Sequence, residues 1–138
     1  MNLVEESTDF CQKYLSCLRR MSVKLNLTQS QSLCLSSIPF TGTSQTNLAE
    51  KLAIDYSTLS RNLDRLVKLK LIKRTPSSYD KRVSHIILTD KGFNKYTELN
   101  QLIENELSFI FEKFDLDEQN QISEILNKIN WNFELIGK

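Results

Sequence analysis

Glycine and proline are scarce: three and two in 138 residues. A turn-rich all-β fold draws on many more of both, so that class is excluded. Histidine occurs once, at His85, and Cys11, Cys17 and Cys34 lack the paired spacing of metal ligands, so no metal site is expected. No uninterrupted apolar run approaches the ~20 residues of a membrane-spanning helix. The opening, MNLVEESTDF, is acidic and lacks the basic-then-apolar order of a secretory leader. There is no G-x-S-x-G elbow, Walker loop or dinucleotide glycine fingerprint. Together these absences predict a cytoplasmic protein with no cofactor and no membrane partner, and not an enzyme.

What is present is ordinary globular composition, 40% apolar and 25% charged, in a length that suits one domain. The net charge of +1 hides a strong asymmetry. From Arg61 to Arg82 eight basic side chains stand against two acids, a net +6. From Glu98 to Lys138 three bases stand against nine acids, a net −6. The first segment attracts a polyanion and the second repels one.

Hydrophobic period organises the chain as helices with one hairpin. Phe10, Tyr14, Leu18, Met21 and Leu25 form the stripe of a first helix over about residues 3–26. Thr28 with Gln31 three residues on predicts a capping box that opens a second helix, which Pro39 and Gly42 end. Ser44 is placed to cap a third helix, with Leu48, Ala49 and Leu52 inward. Ala53-Ile54 makes a tight turn, and Asp55 caps a fourth helix whose buried stripe is Leu59, Leu63 and Leu66, with Val67 or Leu69 beside them. Strands follow over 71–75 and 83–89, Ile86 and Leu88 taking the core face of the second. A long helix runs from Thr89 or Asp90 to about Phe114, and Asp115 or Asp117 caps a last one bearing Ile122, Ile125, Leu126, Ile129 and Phe133.

A helix, a tight turn, a second helix and a basic hairpin form a unit suited to double-stranded DNA: one helix fits the major groove while cations on the arm meet phosphate. Tyr56, Ser57, Thr58, Ser60 and Arg61 lie on the early turns of the fourth helix. Short hydroxyl side chains there let the backbone approach base edges, Arg61 suits the bidentate acceptors of guanine, and Tyr56 and Thr58 suit phosphate or a thymine methyl. Ser44, Gln45 and Thr46 are candidate phosphate ligands at the start of the third helix, as are Lys73, Arg74 and Lys81 on the arm. Arg82 at the hairpin suits an A·T-rich minor groove, with Asp80 holding its guanidinium. One helix reads few base pairs, so a homodimer on an inverted repeat is expected, joined through the apolar stripes of the first, fifth and sixth helices.

The segment from Leu27 to Gly92 resembles the MarR family of winged helix-turn-helix regulators. The residues that carry the resemblance are LNLTQSQ, NLAEKLAIDYSTLSRNLDRLVKLKLIKR and DKRVSHIILTDKG, above all Asp80-x-Arg82 followed by Leu88-Thr89-x-x-Gly92. Ala53 stands where many such turns carry glycine. The resemblance implies a mainly α fold with a small β-wing. Residues 28–89 would form the winged helix-turn-helix, and residues 1–27 and 90–138 the dimerisation helices of a single domain. It implies a sequence-specific transcriptional regulator, a repressor released by a small ligand or an oxidant. Some relatives sense oxidants through a cysteine on the first helix, which makes Cys11 the candidate sensor, while Cys34 among leucines reads as a small buried hydrophobe. Other relatives bind aromatic or phenolic effectors, for which Tyr14, Arg19, Arg20 and Met21 are candidate lining residues. The alternative is a winged-helix module that binds protein rather than DNA.

Overall fold

The computed structural model describes residues 2–76 and 84–137. In chain order these form α1 (Leu3–Lys24), α2 (Gln29–Ser36), β1 (Thr43–Ser44), α3 (Gln45–Leu52), α4 (Tyr56–Lys68), β2 (Ile72–Pro76), β3 (Ser84–Leu88), α5 (Asp90–Phe111) and α6 (Leu116–Ile136). They divide into two compact units, residues 1–103 and 104–138.

Capping chemistry sets most of the helix starts. The Asn2 side chain accepts the Val4 amide, and Glu5 and Glu6 complement the N-terminal end of the α1 dipole. The capping box expected at Thr28 is formed: the Gln31 amide donates to Thr28 Oγ1 at 3.1 Å, and the Thr28 amide to Gln31 Oε1 at 3.0 Å. The Asn47 amide donates to Ser44 Oγ at 3.0 Å, opening α3. Of the two acids proposed for the last helix, Asp115 is the cap, in a reciprocal box with Glu118.

The core of the first unit has two parts. One gathers Leu35 of α2, Leu48 of α3, Leu59, Leu63 and Leu66 of α4, and Ile86 of β3, all essentially inaccessible. The other joins Cys17, Leu18 and Met21 of α1 to Leu99 of α5. The expected stripe of α4 is therefore correct in its three leucines, while Val67 and Leu69 are exposed. Ser22 Oγ lies 2.6 Å from both Leu18 O and Ser32 Oγ, so a buried hydroxyl pair ties α1 to α2 with its polar groups satisfied.

The sheet is antiparallel in the order β1–β3–β2. The β2–β3 hairpin pairs Ile72 with Leu88 and Arg74 with Ile86, which puts Ile86 on the core as expected. The strand β1 was not expected. It pairs Thr43 with Ile86 and Ser44 with His85, joining the start of α3 to the far edge of β3. Gly42 turns into it with φ +87°, and a side-chain carbon there would lie 2.5 Å from His85 Nε2.

The turn between α3 and α4 holds Ala53 in the left-handed region, φ 53° and ψ 43°. A Cβ in that conformation costs roughly 1–2 kcal/mol, partly offset on substitution by the greater unfolded-state freedom of glycine. Ala53 is exposed, so its methyl loses no packing when removed. Ala53→Gly is expected to stabilise the chain by about 0.5–1 kcal/mol, read as a raised urea midpoint with unchanged slope. A lowered midpoint would contradict the strained turn.

The second unit carries its apolar side chains outward. Ile125, Ile129, Phe133 and Ile136 of α6 are exposed, Phe133 at 68%, and so is Trp131, the only tryptophan, at 65%. On α1, Leu3, Val4, Phe10 and Leu15 are exposed as well. No helix among the described residues is long and apolar enough to cross a membrane.

Candidate nucleic-acid interface

Helix α4 is amphipathic, with Leu59, Leu63 and Leu66 inward and Tyr56, Ser57, Arg61, Arg65 and Lys68 exposed. Asp55 fixes its start. One carboxylate oxygen accepts the Thr58 amide and the Ser57 hydroxyl, both at 2.7 Å, and the other accepts the Thr58 hydroxyl at 2.8 Å. The Thr58 amide and then the two hydroxyls hold the Asp55 carboxyl down to about 2, below its ordinary 3.8. The folded chain thus binds this proton more weakly than the unfolded chain, so stability rises with pH across the window from about 2 to about 4. Acidification through that window is expected to weaken the wild type, and Asp55→Asn, which keeps an acceptor but no charge, should show a flatter dependence. Equal acid profiles would remove Asp55 from the account.

A carboxylate only accepts, so Ser57 and Thr58 donate their hydroxyl protons to Asp55. In this arrangement both hydroxyl protons are engaged by Asp55. Each hydroxyl retains lone pairs that can accept from a base amino group, and Thr58 retains the methyl that suits a thymine contact. Arg61 is exposed, and its Nη2 lies 3.5 Å from Thr58 Oγ1, at the limit of a hydrogen bond, which leaves the guanidinium available to a ligand. Thr46 and Lys73 are exposed, and Ser44 is half-buried with its hydroxyl oxygen serving the α3 cap.

Two further candidates lie inward instead of at the surface. Gln45 is 2% exposed and lies inside the first unit rather than at the surface. Arg74, expected on phosphate, turns inward: its Nη2 donates to Ser60 Oγ at 3.0 Å, Ser60 O at 3.2 Å and Gln45 Oε1 at 3.3 Å, while Nη1 pairs with the Asp64 carboxylate. The reason is registry: Arg74 faces α4 across the helix–strand junction, where Asp64 offers a countercharge. Ser60 is half-buried, its oxygen occupied by Arg74. Asp80, Lys81 and Arg82 lie outside the described residues.

Sequence reasoning counted Arg65 and Lys68 in the basic segment but gave them no role. With Val23, Leu27, Gln31 and Leu69 they line an open cavity of about 560 Å³. The α4 period, which puts both cations opposite Leu59 and Leu66, was the available signal. The lining proposed for an effector is arranged differently: Met21 is core, and Arg19 donates to Gln29 Oε1 at 3.0 and 3.2 Å. Cys11 is exposed, whereas Cys17 and Cys34 are buried. Burial pushes the Cys34 thiol up to about 11, with Arg74 opposing the shift, and its burial agrees with the expectation of a small buried hydrophobe. Among the described residues no group of three or more His, Cys, Asp or Glu side chains is arranged to hold a metal ion.

Comparison with known proteins bears on the same region. Residues 25–83 match the model of the MarR family. A curated Bacillus subtilis (strain 168) protein, named an uncharacterized HTH-type transcriptional regulator, YybA, is 29% identical over 111 residues, 80% of this chain and 74% of that protein. The apo structure of wild-type MarR from E. coli superposes with a TM-score of 0.81 at 27% identity, over 94% of this chain and 96% of that one. A mutant of the same E. coli protein complexed with operator DNA gives a TM-score of 0.75 at 26% identity, covering 92% of each chain. The helix order, the antiparallel wing and these likenesses agree: the chain has the winged helix-turn-helix fold of the MarR structures, and its residues 25–83 are similar to the MarR family of transcriptional regulators.

Proposed function

We propose that two copies of the chain bind an inverted-repeat DNA duplex as a repressor, each copy laying α4 in a major groove. The observation that carries this is the outward face of α4, where Arg61, Arg65 and Lys68 stand exposed opposite a fully buried leucine stripe. Arg61 reads guanine, Tyr56 and Ser57 flank it, and Ser44, Thr46 and Lys73 meet phosphate. From the sequence, Arg82 enters the minor groove, supported by Asp80 and Lys81. The E. coli relative bound to operator DNA supports the reading. A protein-binding module would want an apolar outer face on α4; the charge there favours DNA.

The exposed apolar residues of α1, and separately those of the second unit, support self-association, because a single copy would leave them in water. An inducer of aromatic or phenolic type fits the cavity beside Arg65 and Lys68, which offers cations over apolar walls. An oxidant would reach Cys11 first among the three thiols.

Selection of duplexes from a random pool tests the reading. Enrichment of an inverted repeat with half-sites about one helical turn apart is expected, together with a steep salt dependence and a sedimenting dimer. Absence of any enriched duplex, or a monomer at high concentration, would overturn it. Peroxide should release the selected DNA from wild type but not from Cys11→Ser; equal release would remove Cys11 as sensor.

A further inference from the structure

We propose that Arg74 is a positioning residue for DNA recognition: a clamp that sets the angle of α4 against the wing strand, and not a phosphate ligand. The inference rests on the DNA reading above and deepens it. Arg74 is carried by β2, and its guanidinium reaches two residues of α4, Ser60 and Asp64, and one of α3, Gln45. Three elements thus meet on one planar group.

Two observations argue against a phosphate role. The side chain is only 22% exposed. Its charge is already matched by Asp64, so docking onto DNA would displace few counterions on its account.

The position of the clamp gives it a consequence for reading sequence. Ser60 immediately precedes Arg61, and Arg74 bonds both its hydroxyl and its carbonyl oxygen. Through β2 the same residue is registered to Ile86 of β3, which in turn pairs with Thr43 of β1 at the mouth of α3. Displacing Arg74 therefore frees α4 to rotate relative to the wing, and the guanidinium of Arg61 loses its aim. Specific binding should suffer, while attraction to phosphate in general should not.

Arg74→Lys is the sharpest variant, since it keeps the charge and loses the fork. Binding is measured by anisotropy against a duplex enriched from a random pool by wild type and against a scrambled duplex of equal length, over a range of salt. Arg74→Lys should weaken the selected duplex tenfold or more and leave the scrambled one within twofold, with the slope of log Kd against log salt unchanged. Lys73→Met should weaken both duplexes and lower the slope by about one. Ser60→Ala, which removes one acceptor and spares the rest of the cluster, should give a smaller loss with the same selectivity and carries the test if Arg74→Lys does not fold. The clamp is overturned if the informative variant binds the selected duplex like wild type, or if Arg74→Lys lowers both affinities and the slope as Lys73→Met does. Failure of wild type to enrich any duplex would overturn the DNA reading itself, and the clamp with it.

Discussion

Gly92→Ala is expected to destabilise the chain by about 3 kcal/mol or more, the sum of overpacking and of hydrogen bonds lost where α5 starts. Gly92 is buried in the first turn of α5, and a Cβ built on it would lie 1.8 Å from the carbonyl oxygen of Leu71. That oxygen is backbone and cannot swing aside. It also accepts the Thr89 amide at 3.0 Å, while Thr89 Oγ1 donates to Lys70 O at 2.7 Å and Lys91 Nζ to Leu69 O at 3.1 Å. Real Cβ contacts stay beyond 3.0 Å, so α5 would have to lift by more than an ångström, and all three bonds would stretch together. Alanine favours a helix over glycine by about 1 kcal/mol, too little to compensate. Urea unfolding at equal chain concentration measures the loss. A variant as stable as wild type would show that α5 does not press on Leu71 as described.

Arg61→Ala is expected to weaken binding to a selected duplex by about ten- to a hundredfold, in line with the roughly 1–3 kcal/mol of one bidentate guanine contact. The loss should concentrate at one base pair per half-site. Against duplexes changed at that pair, wild type should weaken and Arg61→Ala should bind all versions alike. The contrast with Arg74→Lys is instructive, because the clamp should disturb several base positions at once. Lys68→Ala should weaken every duplex by a similar factor. Uniform weakening by Arg61→Ala would assign it to phosphate instead of a base.

Much of the fold was legible because it is written in local rules. Thr28 with Gln31, Ser44, Asp55 and Asp115 announce helix starts through side chains that satisfy amides a few residues on, and each does so in the structure. The α4 leucines and Ile86 follow from period alone. What escaped was non-local. A two-residue strand such as β1 has no period, and its existence depends on β3, some forty residues on. The inward turn of Arg74 depends on Asp64 and Gln45 across the fold, whereas its sequence neighbour Lys73 stays exposed; adjacent cations in a basic run look alike until a countercharge is placed. Gln45 reads as polar and hence superficial, yet it is buried beside the guanidinium that it serves. The roles of Ser57 and Thr58 were half visible: hydroxyls at a helix start serve the cap first, and only their remaining lone pairs are left for a ligand.

Trp131 makes the second unit its own gauge. As the sole indole it should dominate the ultraviolet emission of the chain, and at 65% exposure a single copy is expected to emit in a red-shifted band. Whatever comes to shield that ring will shift the colour toward blue, so a dilution series in a fluorimeter, with no label attached, follows its encounter with a second molecule.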